Sequence, residues 1–462
     1  MSTVRDEVYS ELAEESDRGA VANLVDRYCH IQSMVHQVLI IQPFIRYGTA
    51  VKSDTDQTLM LAESKALVET LGWRVVDTVT IGLNSYKKKY LFGSGNLSLL
   101  QEQIATNQKI TAVFISMYQL TVTQRLELEQ TFHVPVIDRY HLVLQIFYQH
   151  ATSRESRLQV ALAEVPYLKN RLMVEHEQER GFKHSKDRLG EKFFDTQRYV
   201  LKRVESNIRK RIEQLQEQRY RLRQQRKVQD VLTVAVIGYT NCGKTSLIKA
   251  LTGCSKMEPR DQLFATLDVT CHGARLPGSQ LPVVFIDTVG FISDIPTPLI
   301  ASFRSTLEDA LAADLLLHVV DHANPDWAHQ AGQAAATLAK LRVPPGVLDS
   351  VVTVGNKIDL LAPKDWAAVR ESGAFPVSAI RGWGLDQLAA RLEGQLVERT
   401  GRLQVRVRVR PGGEEWDWLH RHSTVSSVEV EPADENFLLV SVVITRPNME
   451  KFKAHFVRDK IS

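Results

Sequence analysis

The stretch "VAVIGYTNCGKTSLIKALTG", residues 234–253, opens as an apolar strand, breaks into Gly, Tyr, Thr, Asn, Cys, Gly and Lys, and resumes as an amphipathic helix. Gly238, Gly243, Lys244 and Thr245 fit GxxxxGK[ST] between a strand and a helix, the context a phosphate-binding loop requires. Glycines let backbone N–H groups turn inward around phosphate oxygens with no Cβ in the way. The helix starting near Lys244 aims the positive end of its dipole at the same anions. Lys244 can reach the β- and γ-phosphates, and the Thr245 hydroxyl suits an oxygen-seeking Mg²⁺. Tyr239, Thr240, Asn241 and Cys242 line the rest of the turn. The turn is there to wrap a polyphosphate.

Three further elements follow in order. "VVFIDTVG" puts Asp287 at the end of a buried strand, where it can hold Mg²⁺ through water. Thr288 and Val289 lead to Gly290, whose N–H can meet a γ-phosphate. "VVTVGNKIDL" ends another apolar strand in Asn356, Lys357, Ile358 and Asp359. An NKxD element reads guanine, because its carboxylate accepts from N1 and the exocyclic amine, a donor pair that adenine does not offer. "FPVSAI" then supplies Ser378, Ala379 and Ile380, with backbone for the guanine carbonyl. Singly, DxxG, NKID and SA each occur in ordinary turns; together they predict a GTP site.

Between the first two elements lies "DQLFATLDVT". Thr266 is the candidate second Mg²⁺ ligand, carried with Phe264, Ala265, Leu267 and Asp268 on a segment that closes over the γ-phosphate. A plain strand threonine is the alternative. Lys244, Thr266 and Gly290 are the expected catalytic residues. After Gly290, where many Ras-type GTPases carry a water-orienting glutamine, stands Phe291. A phenyl ring cannot position a nucleophilic water, so unassisted hydrolysis is expected on the order of 10⁻⁴–10⁻³ s⁻¹. Asn241 is placed either to coordinate K⁺, as in potassium-stimulated GTPases, or only to shape the turn.

The chain has 462 residues, 44% hydrophobic and 24% charged, which is ordinary for globular protein and too long for one core. No apolar run approaches the roughly 18 residues of a membrane span. Four cysteines without CxxC or Cys/His ligand spacing argue against structural zinc or a disulfide framework, and for a reducing compartment. The first 19 residues hold six acids and two arginines, unlike a transit peptide.

Residues 38–150 alternate strand-like segments ("VLIIQPF", "WRVVDTVTIGL", "TAVFIS", "VPVID") with helical ones, which predicts βαβ units around a mostly parallel sheet. From 151 to 230 the chain reads as two long helices, 151–180 and 191–229, forming a hairpin. Val200, Val204, Ile208, Ile212, Leu215 and Leu222 make one apolar stripe for packing on a partner helix. Residues 198–227 carry eleven Lys/Arg against three Glu, more than a solvated face needs, which points to nucleic acid or ribosome contact. Residues 231–400 alternate strands and helices around the phosphate loop, and 401–462 read as strand, helix, strand, strand, helix. The fold class is thus multidomain α/β: an acidic segment 1–37, a parallel α/β domain 38–150, the basic hairpin 151–230, a P-loop GTPase domain 231–400, and a small α+β domain. Trp416 and Trp418, and His133, His141 and His318, are read as packing residues.

With these residues in hand, the chain resembles the HflX family of translational GTPases, closest to its eukaryotic branch. The resemblance rests on "GYTNCGKTSL", "DQLFATLD", "DTVGFISDIP" with "SFRSTLEDALAADLLLHVVD", and "VIDRYHLVLQIFYQHATSRESRLQVALAEVPYL", and covers about residues 38–400. It implies a monomer, off the membrane, that binds the large ribosomal subunit and its rRNA. When GTP-bound, that protein would split ribosomes or assist large-subunit assembly, with the hairpin tip around 181–190 toward the peptidyl transferase region. It also implies a mitochondrial location, with the cytoplasm as the alternative. Two glycine-rich family segments depart here, to "ERGFKHSKDRLGEKFF" and "FGSGN", so contacts made by those loops and any ATP binding are not carried over. A GTPase partner of a tRNA-modifying enzyme is the competing reading.

Overall fold

The computed structural model describes residues 8–9, 11, 35–46, 54–182, 188–228, 231–255, 257–259, 262–265, 268–292, 312–340 and 351–457. They fall into two compact units.

The first unit takes residues 1–220, 261–268 and 293–304. Strands β1 (Gln37–Ile45), β2 (Arg74–Leu83), β3 (Ala112–Ile115) and β4 (Val136–Asp138) form a parallel sheet in the order β2-β1-β3-β4. Val38 to Ile41 of β1 are fully buried, as the unbroken apolar run requires of a central parallel strand. Helices α1 (Asp54–Thr70), α2 (Ser94–Thr106) and α3 (Val122–Phe132) connect the strands. Thr121 and Gln124 start α3 with a reciprocal capping box. Asp138 ends β4 and caps α4 (Arg139–His150), accepting from the His141 amide at 2.9 Å. The same carboxylate meets Arg125 of α3 at 3.1 Å, and Arg125 donates to Tyr167 at 2.8 Å. Burial alone would raise the Asp138 carboxyl, but His141 and Arg125 hold it well below the usual carboxylate range.

α5 (Arg154–Phe182) and α6 (Arg188–Val228) are the two long helices of the hairpin. They are joined by a Lys169–Glu205 ion pair, an Arg219–Glu155 pair at 2.6 Å and a His176–Phe194 stack at 3.9 Å. Part of the expected tip, residues 183–187, lies outside the described residues. The predicted stripe holds for Val200, Val204, Ile208 and Ile212, which are buried, and for half-buried Leu215, and fails at Leu222, which is 53% exposed. Arg219, the position the stripe skips, already pairs with Glu155 in the first turn of α5, where the partner helix begins.

The second unit takes residues 221–260, 269–292 and 305–462. Strands β5 (Leu232–Gly238), β6 (Thr270–Arg275), β7 (Pro282–Asp287), β8 (Leu315–Asp321), β9 (Val351–Asn356) and β10 (Phe375–Pro376) form a sheet in the order β10-β9-β8-β5-β7-β6. All its pairings are parallel except β6 with β7. Helices α7 (Lys244–Thr252), α8 (Trp327–Lys340), α9 (Trp366–Glu371) and α10 (Leu385–Arg399) accompany it. A smaller sheet follows: β11 (Arg402–Val409), β12 (Thr424–Val430) and β13 (Leu438–Thr445), antiparallel in the order β11-β13-β12, with α11 (Glu414–His422) and α12 (Arg446–Phe452). Trp416 and Trp418 pack on its core, Trp418 meeting Phe452 at 5.4 Å, which matches the packing role read from sequence. No helix among the described residues is long and apolar enough to cross a membrane.

Candidate functional site

In the second unit the sequence elements converge at the carboxyl ends of β5, β7, β8 and β9, where open α/β sheets bind ligands. The loop from Gly238 to Gly243 leaves β5 and enters α7. At Gly238 a Cβ would lie 2.3 Å from the Val319 carbonyl oxygen, so only glycine passes. Gly243 has φ +93 and a Cβ there would meet Asn356 Nδ2 at 2.3 Å. Having no side chain, it leaves α7 without a side-chain cap, and the first turn suits an outside anion. Asn241 takes the left-handed φ of 59, the conformational role open to it from sequence.

Lys244 is buried and donates to the carbonyls of Tyr239 at 2.9 Å and Gly238 at 3.3 Å. Its ammonium also shapes a neighbour: burial, and then Lys244, push the His318 imidazole down to about 4. The Thr245 hydroxyl donates to Asp287 at 2.6 Å, so the expected Mg²⁺ ligand and the carboxylate expected to hold the ion through water share one spot. Gly290 lies where a Cβ would come within 3.0 Å of Lys244 Nζ. Thr288 is turned away, donating to the Val236 carbonyl at 2.7 Å. Val289 is buried. Phe291 is buried and locked to the loop, its N–H donating to Gly238 at 3.0 Å and its carbonyl accepting from Thr240 at 2.6 Å. That ring has no freedom to act on a water.

At the other end of the site Asn356 is a brace. Its amide donates to the Cys242 carbonyl at 2.9 Å, and its Oδ1 accepts from the Ala379 N–H at 3.1 Å. It ties the phosphate loop to the "SA" turn. Lys357, with φ 62, pairs with Asp321 at 2.7 Å. Asp359 accepts from Ser378 Oγ at 2.6 Å. Ile358 is buried and Ile380 is 78% exposed. Sequence reading missed Asp321, although it ends an apolar strand in the same way as Asp287 and Asn356. The Tyr239–Phe291 bridge is set by topology and had no sequence signal.

The remaining predicted residues come from the segment 264–268. Phe264, Ala265 and Asp268 belong to the first unit, and Thr266 and Leu267 lie outside the described residues. Phe264 is buried edge-on against Phe147 at 4.7 Å, and its carbonyl accepts from His150 at 2.8 Å. Asp268 accepts from the Ser153 and Thr152 amides at 3.0 and 3.2 Å, and from both hydroxyls, at the N-terminus of α5. Burial would raise that carboxyl, but the Ser153 and Thr152 hydrogen bonds bring it below its ordinary value.

Two observations fit the site to a nucleoside triphosphate and Mg²⁺. The cradle is closed to any Cβ at Gly243 and Gly290, and the Thr240 hydroxyl inside the loop is buried without a hydrogen-bond partner among the described residues. Thr245 and Asp287 would hold the cation, which would neutralise charge on the phosphates.

Comparison with known proteins gives the site its context. Family models described as "GTP-binding GTPase N-terminal", "GTP-binding GTPase Middle Region" and "50S ribosome-binding GTPase" match residues 58–148, 150–226 and 233–357. A Homo sapiens relative named GTP-binding protein 6 is 39% identical over 449 residues, 96% of this chain and 86% of its own length. GTPase HflX of Magnetococcus marinus is 32% identical over 387 residues, 82% of this chain and 87% of its own. The chain belongs to the HflX family of GTPases. A solved complex of SsGBP with GDP aligns over 78% of this chain and 99% of its own, at 21% identity and a TM-score of 0.45. As an HflX-family protein the chain binds GTP and hydrolyses it, with Mg²⁺ as the customary companion.

Proposed function

We propose that the GTP-bound protein binds the large ribosomal subunit through its rRNA, and there splits ribosomes or assists subunit assembly, acting as a monomer. The observation that carries this reading is the basic face of α6, where Arg198, Lys202, Lys210 and Arg221 are exposed in a stretch of eleven Lys/Arg against three Glu. The description "50S ribosome-binding GTPase" of the matching family model supports it. Lys244, Gly290 and Thr266 serve the γ-phosphate, and loss of that phosphate on hydrolysis releases the Thr266 and Gly290 segments and lowers affinity for the ribosome. Because Phe291 cannot orient water, the ribosome completes the site, and turnover is slow without it. K⁺ at Asn241 adds to the rate. The protein works in mitochondria, with the cytoplasm as the second possibility.

The test is single-turnover GTP hydrolysis with and without purified large subunits. A rise of tenfold or more supports the proposal, and an unchanged rate rejects it. The second reading, a partner of a tRNA-modifying enzyme, takes its support from Asn241. It predicts K⁺-dependent dimerisation of the chain with no ribosomal stimulation.

A further inference from the structure

The first unit carries a second charged surface, far in sequence from α6. Its sheet order β2-β1-β3-β4 reverses direction between β1 and β3, and ligands of open α/β sheets bind beyond the carboxyl ends at such a reversal. The segments leaving those ends are Arg46 after β1, "NSYKKKY" (residues 84–90) after β2, and Tyr118 after β3. Lys87, Lys88 and Lys89 are exposed, and none forms an ion pair among the described residues. Tyr86, Tyr90 and Tyr118 are 39%, 55% and 41% exposed, unusual for rings with a core available. The chain has no acid between Asp77 and Glu102. The carboxylate that feels Lys89 is Glu127 of α3.

A run of lysines on a loop is usually just solvated. This one is built in. Gln124, 2% exposed, donates to the carbonyls of Tyr86 at 3.2 Å and Lys88 at 2.7 Å, while its Oε1 accepts from Thr121 N–H at 2.9 Å. One buried side chain therefore fixes the lysine loop relative to the segment that bears Tyr118. Tyr86 Oη donates to the Pro43 carbonyl at 3.2 Å, seating the loop over the end of β1. Arg46 is held there too: its N–H donates to Leu83 at 3.0 Å, and its side chain fills the space over Gly82, where a Cβ would lie 2.1 Å from Nε. Lys89 sits 5.3 Å from the Tyr90 ring centroid. Three consecutive cations flanked by exposed rings on a fixed loop match what unpaired nucleic acid needs: charge along the phosphates and aromatic faces for the bases.

We propose that residues 84–90, with Arg46 and Tyr118, form a binding surface for an unpaired RNA segment, lysines on its phosphates and Tyr90 stacked on a base. This deepens the ribosome reading and rests on it for the choice of RNA. The experiment uses the full chain and labelled 12-nucleotide oligoadenylate, followed by fluorescence anisotropy from 50 to 300 mM KCl. The Lys87→Gln/Lys88→Gln/Lys89→Gln variant should bind more weakly, with the log–log salt slope reduced by about 2, since each phosphate contact on a single strand contributes about 0.7. Tyr90→Ala should weaken binding about 5- to 150-fold with the slope unchanged, and Tyr90→Phe should restore it. Wild-type affinity and slope in the triple variant, or wild-type affinity in Tyr90→Ala, would overturn the proposal. Equal losses for polyglutamate and RNA would overturn it in favour of an acidic protein partner. Because the assay contains no ribosomes, its outcome is separate from ribosomal stimulation of hydrolysis, and either reading can fail while the other stands.

Discussion

Asp359→Asn should convert the guanine site into one that prefers xanthine. In the structure Ser378 Oγ donates to Asp359 Oδ1 at 2.6 Å. An asparagine keeping that bond must leave its oxygen toward Ser378, so its NH₂ takes the place of Oδ2. Guanine presents two donors there, N1–H and the exocyclic amine, and xanthine replaces that amine by a carbonyl oxygen. The variant therefore loses the hydrogen bond at Oδ2, worth about 1.5–3 kcal/mol, keeps at Oδ1 only a neutral acceptor of roughly half that strength, and gains a donor–donor clash. That sums to about 3–6 kcal/mol, or a 10²- to 10⁴-fold rise in Kd for GTP. The fold should survive, because the Asn356 brace and the Lys357–Asp321 pair are untouched. Isothermal calorimetry of both proteins with GTP, XTP and ATP reads the result. If Asp359→Asn held GTP within threefold of wild type, or showed no gain for XTP, the placement of the base at Asp359 would be refuted.

Three further outcomes follow from the geometry. Gly290→Ala brings a methyl within 3.0 Å of Lys244 Nζ and 2.9 Å of Thr240 Cα. Hydrolysis should fall about 10²- to 10³-fold while GDP affinity stays within threefold, as measured by stopped-flow phosphate release and calorimetry. Asp268→Ala removes the acceptor at the N-terminus of α5. It should destabilise the chain by about 1–2 kcal/mol in urea titrations, with Asp268→Asn in between; an Ala variant as stable as wild type would remove the cap from the account. His318, depressed to about 4, is neutral in the folded chain at pH values where the unfolded chain takes up a proton below about 6.5. Its stabilising contribution is present above that value and lost as pH falls toward 4. Going from pH 7 to 5 should cost about 2 kcal/mol that His318→Gln does not lose, which denaturant melts at the two pH values would show.

The guanine-nucleotide elements were legible because each is short, local in sequence and tied to a strand end. Gly238, Lys244, Thr245, Asp287, Gly290, Asn356 and Asp359 converge in the second unit without any long-range guess. The strands of the first sheet were equally legible, since β1 and β3 are unbroken apolar runs. What could not be read depends on contacts distant in the chain. Asn356 as a brace requires Cys242 and Ala379, 114 and 23 residues away. The contacts of Phe264 and Asp268 with Phe147, His150, Thr152 and Ser153 join residues more than a hundred positions apart, a partnership no local pattern announces. Leu222 fitted the helical stripe by spacing, but spacing does not say where the partner helix stops offering apolar surface. The Gln124 staple was hidden for a related reason: its role as the helix cap of α3 accounts for it locally and masks the second job.

The central claim is that the γ-phosphate in this site decides what the second macromolecule does. Sucrose-gradient sedimentation of intact ribosomes with the purified protein, in GDP or in a non-hydrolysable GTP analogue, measures it directly. The account predicts that the analogue moves ribosomes into separate subunits, with the protein travelling on the large one, and that GDP leaves the profile unchanged. Identical profiles in the two nucleotides, or no protein on any particle, would contradict it.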